Sequence, residues 1–425
     1  MLPPRRRYLR ALPVGFAIGL IALLTLEPRP RQAPLSASTP WYCLVCGGLG
    51  TVDVLLNLAL FVPLGFTLRR QGFAWPLTLA IGFLVSAAVE ALQATVVTGR
   101  DPSLSDLVTN TAGTLLGALL AEALPALTRP GRRRGAWLAA AAASGWLLLL
   151  GFTGWAVQPA DPPTAATLRK APTTPGLDRF AGNVLGVWLN GAHAAGTLDT
   201  AIIASALASR SLGLTASATL ESWTEVLAPI VDVVDRRWVA TVQLGQVGQK
   251  ILFTVRSRSE RLRLRAPSVK VYRALPPPDG QQIEVGGALR GPSLTAFSTT
   301  GGVTHRAETR LTPGLGWMLI LPLGFYPFDY RPELTSAVWT ALPLLLVGYW
   351  TARARAPLGA AGVTWAGLLG FGLFAIPPLT GAARQGWEAG ASCGVALLLG
   401  WLAAGYASEE ISAAVPPSAR SAASP

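Results

Sequence analysis

Histidine and cysteine are scarce in this chain, with two and three residues among 425. His193 and His305 both fall outside the long apolar runs, so those runs hold no Ser-His pairing and no histidine ligand for a metal. The cysteines are Cys43, Cys46 and Cys393. One Cys-x-x-Cys without a second ligand pair is expected to be a local disulfide or two ordinary thiols, not a zinc or redox centre. Neither a metal nor any other cofactor is expected. Charge is scarce as well: 13% of residues are charged and 51% hydrophobic, and the mean hydropathy is +0.43. That balance excludes an ordinary soluble protein of this length and indicates an integral membrane protein.

What is present is a series of apolar runs that match the thickness of a bilayer, about 30 Å at about 1.5 Å per helical residue. They cover 11–26, 52–68, 75–97, 107–124, 137–155, 334–350, 358–376 and 389–406. The net charge of +13 does not signal nucleic acid. Arginines cluster at residues 5–7, 69–70 and 132–134, at every second connection. This positive-inside pattern places both termini in the cytoplasm, and the segments around Cys43, around Arg100 and after Trp155 outside. The first run has the basic head of a signal peptide, but Thr25-Leu26-Glu27-Pro28-Arg29 offers no small-residue cleavage site, so an uncleaved helix is expected.

Hydropathy falls between residues 156 and 313, where the three lysines, Lys170, Lys250 and Lys270, also lie. Residues 158–176, rich in Pro, Thr and Ala, read as a linker. A short amphipathic helix is expected at 199–208. Runs with strand character follow at 216–222, 227–234, 237–244 and 249–256, separated by turn residues such as Gly245 and Gly248. The fold class expected is therefore a multi-span α-helical membrane bundle of about eight transmembrane helices with an inserted extracytoplasmic all-β sandwich. Its parts are 1–155, a five-span bundle; 156–313, linker and sandwich; 314–407, with three more spans; and 408–425, a disordered cytoplasmic tail. Residues 317–328, with Pro322, Gly324 and Pro327, suit an interfacial or re-entrant segment.

Polar side chains inside the apolar runs are the functional lead. An ionisable group at membrane depth costs at least a few kcal/mol unless it faces a bundle interior or a wet cavity. Asp53 and Asp106 open the second and fourth helices at the outer boundary, and Asn57 and Asn110 lie about 6 Å deeper on the same faces. Glu90 and Gln93 belong to the third helix, Glu90 about 10 Å from its outer end. All six therefore occupy one outer-leaflet layer, which Arg100 and Asp101 close from above. Plainer roles exist for most of them: helix capping for Asp106, interhelical hydrogen bonds for the amides, and simple neutralisation of Glu90 by Arg100. Glu90 has none of its own without that partner.

The pattern Asp53-x-x-x-Asn57-x-x-x-Phe61-x-Pro63-x-Gly65, Glu90-x-x-Gln93, Gly99-Arg100 and Asp106-x-x-x-Asn110-x-x-Gly113-x-x-x-Gly117 resembles the VanZ-like membrane domain over residues 50–125. The resemblance implies the same six residues with Arg100 as family positions, a bacterial cytoplasmic membrane and a link to susceptibility to teicoplanin-type glycopeptides. It implies no nucleophile. Residues 180–301, notably Leu244-Gly245-Gln246-Val247-Gly248, are similar to laminin-G or concanavalin A-like sandwiches.

Three functions fit these observations. The first is an envelope protein whose pocket of Asp53, Asn57, Glu90, Gln93, Arg100, Asp106 and Asn110 binds a membrane lipid headgroup or lipid-linked precursor. Its outer sandwich would bind glycan or protein, with Trp188, Trp223 and Trp238 available as platforms, although core packing is the expected role of each. The second is an intramembrane enzyme using Glu90 as acid or base, which lacks a histidine, nucleophilic pair or metal-ligand spacing to support it. The third is a transporter, which lacks evident inverted repeats with broken helices.

Overall fold

The computed structural model describes residues 4–27, 49–97, 103–174, 176–321 and 332–414, with side chains from residue 12 to residue 406 within those ranges. Cys43, Cys46, Arg100, Asp101 and most of segment 317–328 lie outside them. The chain forms two compact units, residues 1–124 with 159–309, and residues 125–158 with 310–425.

The helical part of the first unit contains α1 (Pro4–Thr25), α2 (Gly50–Arg70), α3 (Trp75–Thr95) and α4 (Leu104–Thr128). Pro76 starts α3, where its missing N–H is one that a helix start leaves unpaired anyway. Gly72, at φ +89°, ends α2, and its N–H donates to the Arg69 carbonyl. Ala17, Ile21, Phe61, Leu64, Leu68 and Val89 form an apolar core shared by α1, α2 and α3. Helices α2 and α4 touch backbone to backbone, because a Cβ on Gly65 would come within 1.9 Å of the Thr114 carbonyl oxygen, and one on Gly117 within 2.0 Å of that of Val62. Small residues permit such approach in lipid, where helices gain nothing from burying apolar surface.

The remainder of the first unit is a sandwich of two six-stranded antiparallel sheets. Its strands are β1 (Ala166–Lys170), β2 (Val184–Leu189), β3 (Ala192–His193), β4 (Thr197–Leu198), β5 (Ser211–Thr219), β6 (Ala228–Val234), β7 (Ala240–Val247), β8 (Lys250–Val255), β9 (Ser268–Val271), β10 (Gln282–Arg290), β11 (Ser293–Thr300) and β12 (Val303–Arg310). One sheet runs β4-β1-β6-β7-β8-β9 and the other β12-β11-β10-β5-β2-β3. The sheets meet where the Phe253 side chain of β8 fills the space a Cβ on Gly287 of β10 would need, 2.1 Å from it. The short helix α6 (Thr200–Ala208) is capped by Asp199, whose carboxylate accepts from the Ala201 N–H at 2.8 Å.

The expected linker 158–176 is not a free connection. It holds β1, seated between β4 and β6, where Arg169 donates twice to Asp232 of β6, at 2.8 and 2.5 Å. Composition suggested a linker, but Ala166 and Leu168 are buried and alternate with less buried neighbours, the period of a strand.

The second unit contains α5 (Arg132–Ala156), α7 (Gly316–Ile320), α8 (Pro332–Ala341), α9 (Leu344–Arg353), α10 (Leu358–Gly370), α11 (Ile376–Thr380) and α12 (Trp387–Ala414). Sequence order groups α5 with the first four helices, whereas in the structure it packs on the C-terminal ones. Trp146 and Leu150 of α5 share a core with Leu344, Val347, Leu373, Cys393 and Leu397. Glycine again brings backbones together, Gly348 against the Leu397 carbonyl and Gly400 against that of Leu345. Helix α12 runs on to Ala414, beyond the residue where the tail was expected to begin, and residues 415–425 are outside the described range.

Seven helical stretches among the described residues are long and apolar enough to cross a membrane: α2, α3, α4, α5, Pro332–Arg353, Leu358–Thr380 and Trp387–Tyr406. The eighth expected run falls on α1, whose described apolar stretch is Leu12–Thr25. Two of the seven are interrupted, one around Pro343 between α8 and α9 and the other by a π-helical turn at Phe371–Ala375 ahead of Pro377 and Pro378. The sequence reading did not foresee these breaks.

Candidate functional site

Helix α4 is the hub of the polar layer. Its first turn is capped by Ser103, whose Oγ accepts from the Ser105 N–H at 3.1 Å and whose carbonyl accepts from the N–H of Asp106 at 3.2 Å. Ser103 thus caps the helix start, and Asp106 Oδ1 accepts a hydrogen bond from Asn57 Nδ2 of α2 at 2.8 Å. The backbone contact of α2 with α4 sets the separation that this bond requires. Asp53 sits exposed in the first turn of α2, where the helix dipole favours a carboxylate.

Helix α3 meets α4 through two further bonds. Half-buried Glu90 accepts from the Ser103 N–H through Oε2 at 2.8 Å. Asn110 is 2% exposed and donates through Nδ2 to Ser86 Oγ at 3.0 Å, while its Oδ1 has no partner among the described residues. A buried amide oxygen without a donor costs about 1–3 kcal/mol. Swapping the amide's two ends would leave the nitrogen unpaired instead, so the unmet capacity stays in either orientation.

Gln93 parts from the group. It is 6% exposed and donates through Nε2 to the Thr25 carbonyl at 2.9 Å, closing the C-terminal turn of α1. The structure thus links Asn57 with Asp106, Glu90 with the start of α4, and Asn110 with α3, and it gives Gln93 a separate bracing contact. Arg100 falls outside the described residues. Sequence reasoning missed Ser86 and Ser103. Ser86 lies four residues before Glu90, hence on the same face of α3, but a lone serine in an apolar helix carries no signature.

Chemically, the residues brought together are rich in acceptors: the carboxylates of Glu90 and Asp106 and an unmatched amide. Such a set suits a ligand that brings hydroxyl or ammonium donors. Among the described residues no three His, Cys, Asp or Glu side chains gather to hold a metal ion.

The three tryptophans of the sandwich are not core residues, contrary to expectation. Trp238 is 67% exposed and stands 5.3 Å from the Arg169 guanidinium. Trp223, 38% exposed, donates to the Pro276 carbonyl at 3.2 Å, and half-buried Trp188 meets His193 edge-on at 6.2 Å. Each packs on a local partner at the sheet surface, leaving the core to Phe253 and to aliphatic residues of both sheets, such as Leu214, Ile230, Leu244 and Val285. In the same domain, burial pushes the Glu260 carboxyl above its usual range, against the opposing pull of Arg256.

No curated protein and no solved structure matches the chain. One family model does, that of VanZ/LLP1, over residues 16–125. The match takes in α2, α3 and nearly all of α4 with every candidate residue of the polar layer, and it reaches back into α1 beyond the motif-bearing stretch. Residues 16–125 of this membrane-spanning chain are accordingly a VanZ-like domain.

Proposed function

We propose that this is a VanZ-like protein of the bacterial cell envelope whose polar layer binds the headgroup of a membrane lipid or lipid-linked precursor in the outer leaflet, and so alters susceptibility to teicoplanin-type glycopeptides. The sandwich then lies outside, between cytoplasmic termini, and binds glycan or protein. The observation that carries this reading is the Asn110 amide, almost wholly buried, with hydrogen-bonding capacity unmet by the described residues. Purely structural glue would be expected to satisfy itself. Exposed Trp238, with Arg169 behind it, supports a recognition role for the sandwich, because an aromatic face in solvent is the usual platform for a sugar ring.

The test compares Glu90→Gln, Arg100→Ala and the double variant for abundance in the membrane and for glycopeptide susceptibility. In Glu90→Gln the amide oxygen still accepts from Ser103, so abundance should stay at the wild-type level while the susceptibility phenotype is lost. If Glu90 served only to neutralise Arg100, Glu90→Gln would be tolerated, Arg100→Ala would lower abundance, and the double change would restore both quantities. That rescue would overturn the ligand-binding reading.

A further inference from the structure

The chain enters and leaves the sandwich at the same end. On the way in, Pro159 forms a bridge with Ser257 and the Ala160 N–H donates to the Arg256 carbonyl at 2.8 Å, three to four residues after α5 ends at Ala156. On the way out, β12 ends at Arg310, and Thr153 Oγ1 in the last turn of α5 donates to the carbonyl of Pro313, three residues further, at 2.7 Å. Three residues of chain reach about 10 Å at most. Connectivity alone therefore makes this the end next to the bilayer that α5 is long and apolar enough to cross, however the two units are turned.

Arginine crowds this end. Residues 256–265, which follow β8, hold five arginines and one carboxylate, Glu260. The other sheet adds Arg210, Arg290 and Arg310: Arg290 lies opposite Ser211 of β5 and Ser293 of β11, the Gly291 N–H donates to the Arg210 carbonyl at 2.8 Å, and β12 returns beside β11 from the turn at Gly301-Gly302, which brings Arg310 back to the same end. Burial, and then the guanidinium of Arg258, push Arg210 below its usual range, so the arginines of the two sheets feel one another. Several are matched: Arg261 pairs with Asp161, and Arg256 with Asp235 at 3.2 Å. The argument is one of net charge. These eight arginines stand against Asp161, Asp235, Glu260 and, two residues up β12, Glu308, so the positive excess does not depend on any one of them being free. Beside Arg210 and Arg290 the surface dips into a hollow of about 770 Å³ lined also by Asn190, Gly213 and Thr215, which has room for a headgroup.

We propose that this end of the sandwich docks on the anionic phospholipid surface of the membrane that holds the chain's own helices, with the arginines of residues 256–265 and Arg210, Arg290 and Arg310 over the headgroup phosphates. Attraction to such a surface fades within a screening length, about 8–10 Å in physiological salt, which is close to the reach of the connecting chain. Strands of nine residues, such as β5 and β10, put the opposite end about 30 Å away, out of range. The docking does not depend on what the polar layer binds. Trp238 stands in the turn between β6 and β7 beside Asp235, at the same end, so a sugar stacked on it would be one borne at the membrane surface.

The experiment places the full-length protein in nanodiscs of phosphatidylcholine alone or mixed with phosphatidylglycerol and follows hydrogen exchange of the amides in residues 256–265. Exchange should be slower in the phosphatidylglycerol discs, and the difference should vanish at about 1 M salt, where the screening length is about 3 Å. Arg290→Gln, at an exposed strand end, should lower the ratio of docked to undocked protein about fivefold, and Arg290→Gln with Arg310→Gln about 25-fold. Arg179→Gln is the control. It removes the same charge from the opposite end, where the Asp178 N–H donates to the Leu227 carbonyl ahead of β6, and should leave the ratio unchanged. Equal exchange in the two kinds of disc, which needs no variant to be read, would overturn the proposal, as would an Arg179 effect as large as that of Arg290. Protection absent in phosphatidylglycerol discs yet produced by soluble polyphosphate would assign the surface to an acidic polymer and overturn it as well.

Discussion

Gly65, Gly113 and Gly117 decide how near α2 and α4 run, and therefore whether Asn57 reaches Asp106. All three are visible in the sequence as part of the VanZ-like pattern, but the atoms they make room for, the carbonyls of Thr114, Leu58 and Val62, are fixed only by the fold. Gly117→Ala should lower the thermal midpoint of the purified protein: added bulk against backbone costs about 1–3 kcal/mol, more than the roughly 1 kcal/mol an alanine gains in helix propensity. Gly151→Ala on α5 is the control, because nothing stands within 4 Å of the added Cβ, and it should be neutral or mildly stabilising. A Gly117 variant as stable as wild type would show that α2 and α4 do not run so close. At this scale the carboxylates and amides of the site were legible, since lipid makes any polar residue conspicuous. Ser86 and Ser103 were not, because serine is tolerated almost anywhere in a helix.

Helices and strands were legible where their period was undisturbed, and less so where proline or a short strand interrupted it. Pro343 has no N–H to give to the carbonyl four residues back, and hydrogen bonding shifts there to bonds three residues apart, from Leu345 to Leu342 and from Leu346 to Pro343. The Thr340 carbonyl, in the last turn of α8, is met instead by Trp146 Nε1 of α5 at 2.8 Å. Trp146→Phe should therefore destabilise the protein by more than the loss of ring volume alone, since a buried carbonyl left unpaired costs about 1–3 kcal/mol. Thermal unfolding in detergent measures this, and a midpoint within a degree of wild type would contradict the assignment. The run 334–350 looked continuous because one proline among leucines barely alters hydropathy. Strand β1 was hidden for the opposite reason: prolines and threonines around it mimic a linker, and only pairing with β6 shows that the five residues are structural.

For the whole molecule, the division into membrane helices and an inserted β domain followed from hydropathy, but the company α5 keeps did not, because adjacency in sequence says nothing about which apolar face a helix will share. A fragment of residues 159–309 should give a β-type circular dichroism spectrum and a cooperative melt, its size being ample for a core of its own. One beginning at Gly176 should be far less stable. Without β1, Asp232, 1% exposed, loses Arg169, and breaking a buried pair costs about 3–5 kcal/mol. Equal stability of the two fragments would show β1 to be dispensable. In intact cells, Cys43 should react after reduction with a membrane-impermeant thiol reagent, as the arginine distribution requires; a protected Cys43 would reverse the orientation. The tie between Trp146 and Thr340 spans 194 residues, and this sets a schedule for biosynthesis. At about 5–20 residues per second, α5 leaves the ribosome some 10–40 s before α8 exists to receive its indole N–H. During that interval the sandwich is completed first, and the face of α5 bearing Trp146 and Leu150 must wait against lipid or a membrane chaperone, which makes this helix the point where assembly is most easily misdirected.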